Sequence, residues 1–198
     1  MRSELLVGCG SLRDKRVHLE GHAEWENLTT LDINPKHNPD VVWDLTEYPY
    51  PFDDDAFDEV HAYEVLEHLG WQGDYVSFFA QFEEFYRILK PDGLLCGTVP
   101  WWNGRWAWAD PGHVRVITPD TLSFLNQAVY DDPGAMLTDY RPIYHANFEA
   151  VYQEKRRIGE ENEQDDRDFG APDHFCFILK AIKGQPQPTQ RDYRPTRL

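Results

Sequence analysis

The chain is 198 residues long, with 35 acidic against 19 basic side chains and a formal net charge of −16. That length makes one domain with a substantial core, while the charge repels phosphate backbones and anionic lipid, so nucleic acid and membranes are disfavoured partners. No apolar run approaches the ~20 residues of a membrane span, and the opening residues carry no signal-peptide apolar region.

Residues 4–10, ELLVGCG, form an apolar run closed by glycines, the pattern of a buried parallel strand and its tight exit turn. A second strand is expected at 28–33, LTTLDI, closed by Asn34-Pro35. Between them, VHLEGHAEW is broken by glycine and β-branched residues, so the first crossover helix is short or missing. A weak strand at 40–43 and an apolar one at 56–63 follow. Over 74–90, Val76, Phe79, Phe82, Phe85 or Tyr86 and Leu89 recur at three- and four-residue steps, which predicts a helix stopped by Pro91-Asp92-Gly93. Residues 94–100 read as a fifth strand. Thr118-Pro119 opens another helix as cap and first-turn proline, with Leu122 and Leu125 facing in. Two long strands, about 139–153 and 174–183, flank an insertion at 154–173 whose eight acids and four bases predict a solvated loop. The tail from Gly184 is proline-rich and polar, and disorder is expected there.

Alternating strands and helices that end in two adjacent strands predict an α/β three-layer sandwich. Ligands of such sheets sit beyond the carboxyl ends of the strands, where the strand order reverses. The turn Gly8-Cys9-Gly10-Ser11 falls at that point, its glycines letting a ligand approach the backbone. Asp32, ending the next strand, can accept two hydrogen bonds from a ribose diol. A dinucleotide site would want glycine at position 13, where Arg13 stands, and a helix N-terminus to hold the pyrophosphate. The turn therefore suits a nucleoside without phosphates. Cys9, Cys96 and Cys176 are odd in number and lie in apolar surroundings; they read as buried thiols of a reducing, cytoplasmic setting. No metal is expected.

ELLVGCGSL, TLDINPKHNPDVVWDLTEYPYPFDDDAFDEVHAYEVLEHL and FYRILKPDGLLCGTVP together resemble the class I S-adenosylmethionine-dependent methyltransferases, closest to the type 11-like group, over about residues 4–128. The resemblance implies a Rossmann-like, seven-stranded, mostly parallel sheet with the last strand antiparallel, and S-adenosyl-L-methionine as cofactor. It places Gly8, Cys9 and Gly10 at the cofactor's methionine part and Asp32 at the ribose, and counts Ile33 among the cofactor-binding residues. It places Asp44 and Leu45 at the adenine, and Tyr63 and Glu64 along the methionine end. The chain departs from the pattern in lacking a helix before the first strand. It also lacks the Asp-Pro-Pro-Tyr type of motif found in amino-methylating nucleic-acid enzymes, which agrees with the acidic charge.

Methyl transfer asks for alignment of cofactor and nucleophile and often for a base. His113, Glu67 and His68 are the candidates. The blander reading is that Glu67 and His68 end a helical turn in VLEHLG, and that His113 bonds to backbone in GHVR. PWWNGRWAWADPGHVR, 100–115, carries four of seven tryptophans and follows the fifth strand, so it should hang over the open end of the sheet. Some of its rings are expected to bury and one or two to face a small-molecule acceptor. The expected activity is methyl transfer to a small molecule or a glycan or nucleotide-sugar precursor. The alternative is a non-catalytic module that holds S-adenosylmethionine or S-adenosylhomocysteine and works with a protein partner. The sequence does not speak to oligomeric state.

Overall fold

A computed structural model describes residues 1–132, 134, 137–157 and 173–184. Seven strands form one sheet: β1 (Ser3–Val7), β2 (Asn27–Asp32), β3 (Val41–Val42), β4 (Phe57–Tyr63), β5 (Leu89–Pro100), β6 (Phe148–Arg157) and β7 (Asp173–Ala181). Their order is β3-β2-β1-β4-β5-β7-β6. Strands β1 to β5 pair parallel, and β7 runs antiparallel between β5 and β6. This is the expected sheet, with the order reversing at β1, beside β4.

The central strands form because their residues have apolar surroundings on both faces. Leu5, Leu6 and Val7 of β1 are at most 2% exposed, which is why the sequence shows a continuous apolar run instead of alternation. One face carries α1 (Tyr75–Ile88), capped by the Asp74 carboxylate on the Ser77 amide. Its inner residues are Phe78, Phe79, Phe82, Phe85 and Ile88, packed with Leu5, Val60 and Leu95. Val76, expected on that face, is instead exposed, and Phe78 takes its place. The helix stops before Pro91 because Leu89 already pairs with Phe57 of β4, so β5 starts five residues ahead of the expected 94. The same face takes a short helix over Pro119–Ser123, capped by Thr118 as expected, with Leu122 and Leu125 buried.

The third layer is not helical. Residues 8–26 cross from β1 to β2 without a helix, as their composition predicts, and cover Leu6, Cys96 and Ile178 with Val17 and Trp25. Strand β6 begins at 148, not near 139, because Asp139 and Arg141 pair across a tight turn and Tyr144 drops fully into the core behind it. It runs on to Arg157, so residues 154–157 are paired strand and not loop. Of the expected charged loop, 158–172 lie outside the described residues, as does the tail beyond Gly184. Among the described residues no helix is long and apolar enough to cross a membrane.

Candidate active site

The turn after β1 opens the site. Gly8 and Gly10 both take positive φ, 58° and 54°, where a side chain is disfavoured. A Cβ on Gly8 would stand 2.4 Å from Cγ2 of Val65, so Gly8 is needed for close packing against the exit of β4. A Cβ on Gly10 would meet nothing within 4 Å, so Gly10 faces open space where a ligand can approach its backbone. Cys9 between them is 4% exposed and belongs to the core; burial raises its thiol pKa, which leaves it an unreactive packing group.

Asp32 is the anchor of this region. It accepts the Gly10 amide at Oδ2 and the Asn34 amide at Oδ1, each at 2.8 Å. His37 Nδ1 lies 3.1 Å from Oδ2, out of hydrogen-bond alignment but close enough for charge to matter. Burial pushes the Asp32 carboxyl up, but the Asn34 and Gly10 amides and His37 outweigh it, and its pKa lies below the usual carboxylate range. Two amides use two of about four acceptor positions on a carboxylate, which leaves room for a ligand's hydroxyls. Ile33 next to it is 62% exposed and offers an apolar surface at the strand's end. Arg13 closes the rim by donating to the carbonyls of His37 and Asn38 at 3.0 and 2.8 Å.

The remaining cofactor candidates divide. Asp44 Oδ1 accepts from the amide and hydroxyl of Thr46, both at 2.8 Å. Leu45 is 6% exposed and packs in the core, so its side chain does not flank the site. Tyr63 turns its ring to the opposite face, where its hydroxyl meets His61 Nδ1 at 2.7 Å and the Val17 carbonyl at 3.2 Å. Only its backbone stands at the site. Glu64 holds a positive φ of 54°, uncommon outside glycine, asparagine and aspartate, and its carboxylate takes His174 Nδ1 at 2.9 Å. The sequence offered no signal for His174; it arrives through the register Pro100↔His174 between β5 and β7.

The catalytic candidates do converge. Leu66–His68 form one 3-10 turn after β4, and the Glu67 carbonyl accepts the amides of Val114 and Arg115 at 2.9 and 3.1 Å. The Gln72 amide binds the Val114 carbonyl, and the Arg115 guanidinium, 5% exposed, donates to the carbonyls of Trp71 and Asp74. These bonds press the segment 110–116 onto the turn. His68 and His113 then stack edge-to-face with ring centroids 4.7 Å apart. His68 Nδ1 meets the Gly112 carbonyl at 3.0 Å, and His113 Nδ1 meets the Trp106 carbonyl at 2.8 Å. Each Nδ1 therefore donates, so that in the neutral imidazole the lone pair sits on Nε2. Glu67 is 2% exposed, and among the described residues neither carboxylate oxygen has a hydrogen-bond partner. Burial, then the neighbouring charges of Glu64 and Asp110, raise its pKa to about 9.

The four tryptophans split one against three, with fewer buried than expected. Trp101 packs against the core beside Phe175, whereas Trp102, Trp106 and Trp108 are 44%, 43% and 71% exposed. Residues 106–109 form one helical turn, α2, anchored by buried Ala107. Beyond His68 a cleft of about 440 Å³ opens between Thr46, Tyr48, Trp71 and Gln81.

Residues 5–97 match the family described as a methyltransferase domain. No curated protein matches the chain. Among solved structures, the N-methyltransferase NodS from Bradyrhizobium japonicum aligns at 14% identity over 92% of this chain and 86% of that one, TM-score 0.54. A S-adenosylmethionine-dependent methyltransferase from Methanosarcina mazei aligns at 15% over 91% and 92%, TM-score 0.53. The [4+2]-cyclase SpnF aligns at 15% over 92% and 76%, TM-score 0.52. At such identities these likenesses speak for the fold. Residues 5–97 thus resemble a methyltransferase domain, and the chain as a whole shares the Rossmann-like fold of these methyltransferase structures.

Proposed function

We propose that this protein transfers a methyl group from S-adenosylmethionine to a small-molecule acceptor that enters beneath the tryptophan segment. The observation that carries the reading is the convergence, at the carboxyl edge of the sheet, of Gly10 facing open space, Asp32 with unspent acceptor positions, and the lone pairs of His68 and His113. The residues fit the cofactor: Gly8 and Gly10 give its methionine part a backbone without side chains, and Asp32 takes the ribose hydroxyls. Ile33 and Asp44 flank the adenine. The cofactor supplies an electrophilic methyl carbon on sulfur. The protein's part is to align the acceptor, exclude water with the exposed rings of Trp102, Trp106 and Trp108, and receive the acceptor's proton at the Nε2 of His113. His68 and Glu67 are placed to orient that exchange. Three free, buried thiols fit a cytoplasmic setting, and the charge of −16 argues against a nucleic-acid acceptor.

A second reading is a module that binds the cofactor without transferring its methyl group. It is favoured by the presence of a [4+2]-cyclase among the fold's neighbours, since a shared fold does not fix the chemistry. Incubation with methyl-labelled S-adenosylmethionine and pooled small metabolites separates the two. Label in an acceptor supports transfer; tight cofactor binding with label in no acceptor supports the module.

A further inference from the structure

We propose that Glu67, His68 and His113 form a binding site for a first-row divalent cation of the zinc or cobalt type. Two imidazoles and one carboxylate suit such an ion and leave coordination positions open. Each of the three residues offers one donor atom, and these atoms lie within 4.8 Å of one another. An ion at about 2.0–2.2 Å from each donor spans separations of up to about 4.3 Å. His113 Nε2 and Glu67 Oε1, 4.0 Å apart, are within that reach, and the widest pair closes with a shift of a few tenths of an ångström. Asp110 Oδ2 lies 3.9 Å from His113 Nε2 on the exposed side but falls outside the cluster of three.

Two features distinguish this from a casual meeting of polar groups. Each histidine has its Nδ1 fixed by a backbone carbonyl, that of Gly112 or of Trp106. That is the second layer of contacts by which proteins set the tautomer and aim of metal-binding imidazoles. The other is Glu67, 98% removed from solvent, with neither carboxyl oxygen in a hydrogen bond among the described residues; a buried polar side chain left so is uncommon and points to a missing partner. The molecule contains an instructive contrast on the other face of the sheet. Glu4, Glu59 and His61 form an equally compact cluster, and there the Lys15 ammonium stands at the centre, bound to both carboxylates. One Glu/His cluster has a built-in cation; the other presents its donors to a site where one fits.

The role of the ion rests on the methyl-transfer reading. Bound to an acceptor hydroxyl through an open position, it lowers the hydroxyl's pKa, so that the proton leaves to water. The oxygen then attacks the methyl carbon, the carbon–sulfur bond breaks, and its electron pair stays on sulfur as S-adenosylhomocysteine. With the ion bound, activation of the acceptor passes from His113 Nε2, then a ligand, to the ion; in the metal-free protein His113 Nε2 remains the base.

The test uses untagged full-length protein stripped with a chelator and titrated with Zn²⁺ or Co²⁺ alone. One equivalent should bind, with the visible absorption of nitrogen- and oxygen-coordinated cobalt, and should raise the melting temperature. Glu67→Gln and His68→Ala should each weaken binding at least tenfold, with far-ultraviolet dichroism unchanged. S-adenosylhomocysteine binding, measured in chelator, should be the same in wild type and Glu67→Gln. Absence of stoichiometric binding, or binding that survives both substitutions, overturns the metal site. If S-adenosylhomocysteine binds in that case, only the metal proposal falls; if it does not, the cofactor reading falls with it.

Discussion

Replacing Asp32 with alanine tests both the site and the way it is built. The carboxylate is 6% exposed and receives the amides of Gly10 and Asn34 at 2.8 Å each. Hydrogen bonds to a charged group contribute about 1.5–3 kcal/mol each, and two on one carboxylate are not fully additive. Removing it should therefore cost roughly 2–4 kcal/mol of stability. For a chain of this size that is about 4–16 °C in melting temperature. Since the Gly10 amide is held by Asp32, the turn loses its shape at the same moment that the ribose loses its acceptor. Affinity for S-adenosylhomocysteine should fall by more than tenfold, beyond what the loss of the ribose contacts alone would give. Asp32→Asn keeps one oxygen for one of the two amides and should lie between. Differential scanning calorimetry and isothermal titration of the three proteins give both quantities. A variant that melts like wild type and binds the ligand equally well would remove Asp32 from the site and undo the reading of the glycine turn.

Gly8→Ala should destabilise by about 2–5 kcal/mol, from the left-handed backbone and the collision with Val65, whereas Gly10→Ala should cost only ~1–2 kcal/mol yet weaken cofactor binding; chemical denaturation and titration of both check this. Trp108→Ala should change stability by no more than about 0.5 kcal/mol, while Trp101→Ala, half in the core, should cost about 2–3 kcal/mol. The same two variants should reverse in order when acceptor binding is measured. Asp32 also sets a pH dependence: its folded-state pKa lies below the ordinary value, so its stabilisation is present above the ordinary carboxylate range and is lost as pH falls through the folded value. Asp32→Asn should flatten that acid limb in a series of melts taken at falling pH.

What the sequence made legible was whatever rests on burial of regular structure. Strands β1, β2 and β4 are apolar because the sheet is covered on both faces there, and the glycine turn and Asp32 follow directly from their ends. Side-chain direction was less legible. Leu45 and Tyr63 stand beside the site in sequence, yet their side chains turn into the core, and nothing local distinguishes a residue aimed at the ligand from its neighbour aimed away. The apolar spacing Tyr140, Tyr144, Ala146 imitates a strand, although the Asp139–Arg141 pair bends the chain into a turn. His37 and His174 carried no signal because their partners, Asp32 and Glu64, are met through a loop's path and through strand register. The convergence of His113 on Glu67 was foreseen only as membership of one edge. The bonds that bring it about are backbone amides on the Glu67 carbonyl, which any sequence could make.

The helix-free crossover explains the inward-facing acids of β1 and β4, which break an otherwise apolar pattern. A helix would satisfy its own backbone and cover the sheet with apolar side chains; an irregular segment cannot, and must find partners beneath it. Glu4 and Glu59 supply them. Lys15, its side chain 2% exposed, binds both carboxylates, His22 binds Glu59, and the Glu26 amide meets Glu4 at 2.6 Å. Val17 adds its own pair of bonds to the Tyr63 hydroxyl. Such buried charges add little net stability over an apolar equivalent, because desolvation offsets the attraction. They do fix one path for the chain. From Lys15 onward the segment is staked to the sheet, while Ser11–Asp14 remain exposed, tied by Arg13 to the carbonyls of His37 and Asn38. The stake therefore begins just past the glycine turn proposed to hold the cofactor. The fold thereby dispenses with a helix and still presents Gly10, facing open space, at a defined place beside Asp32.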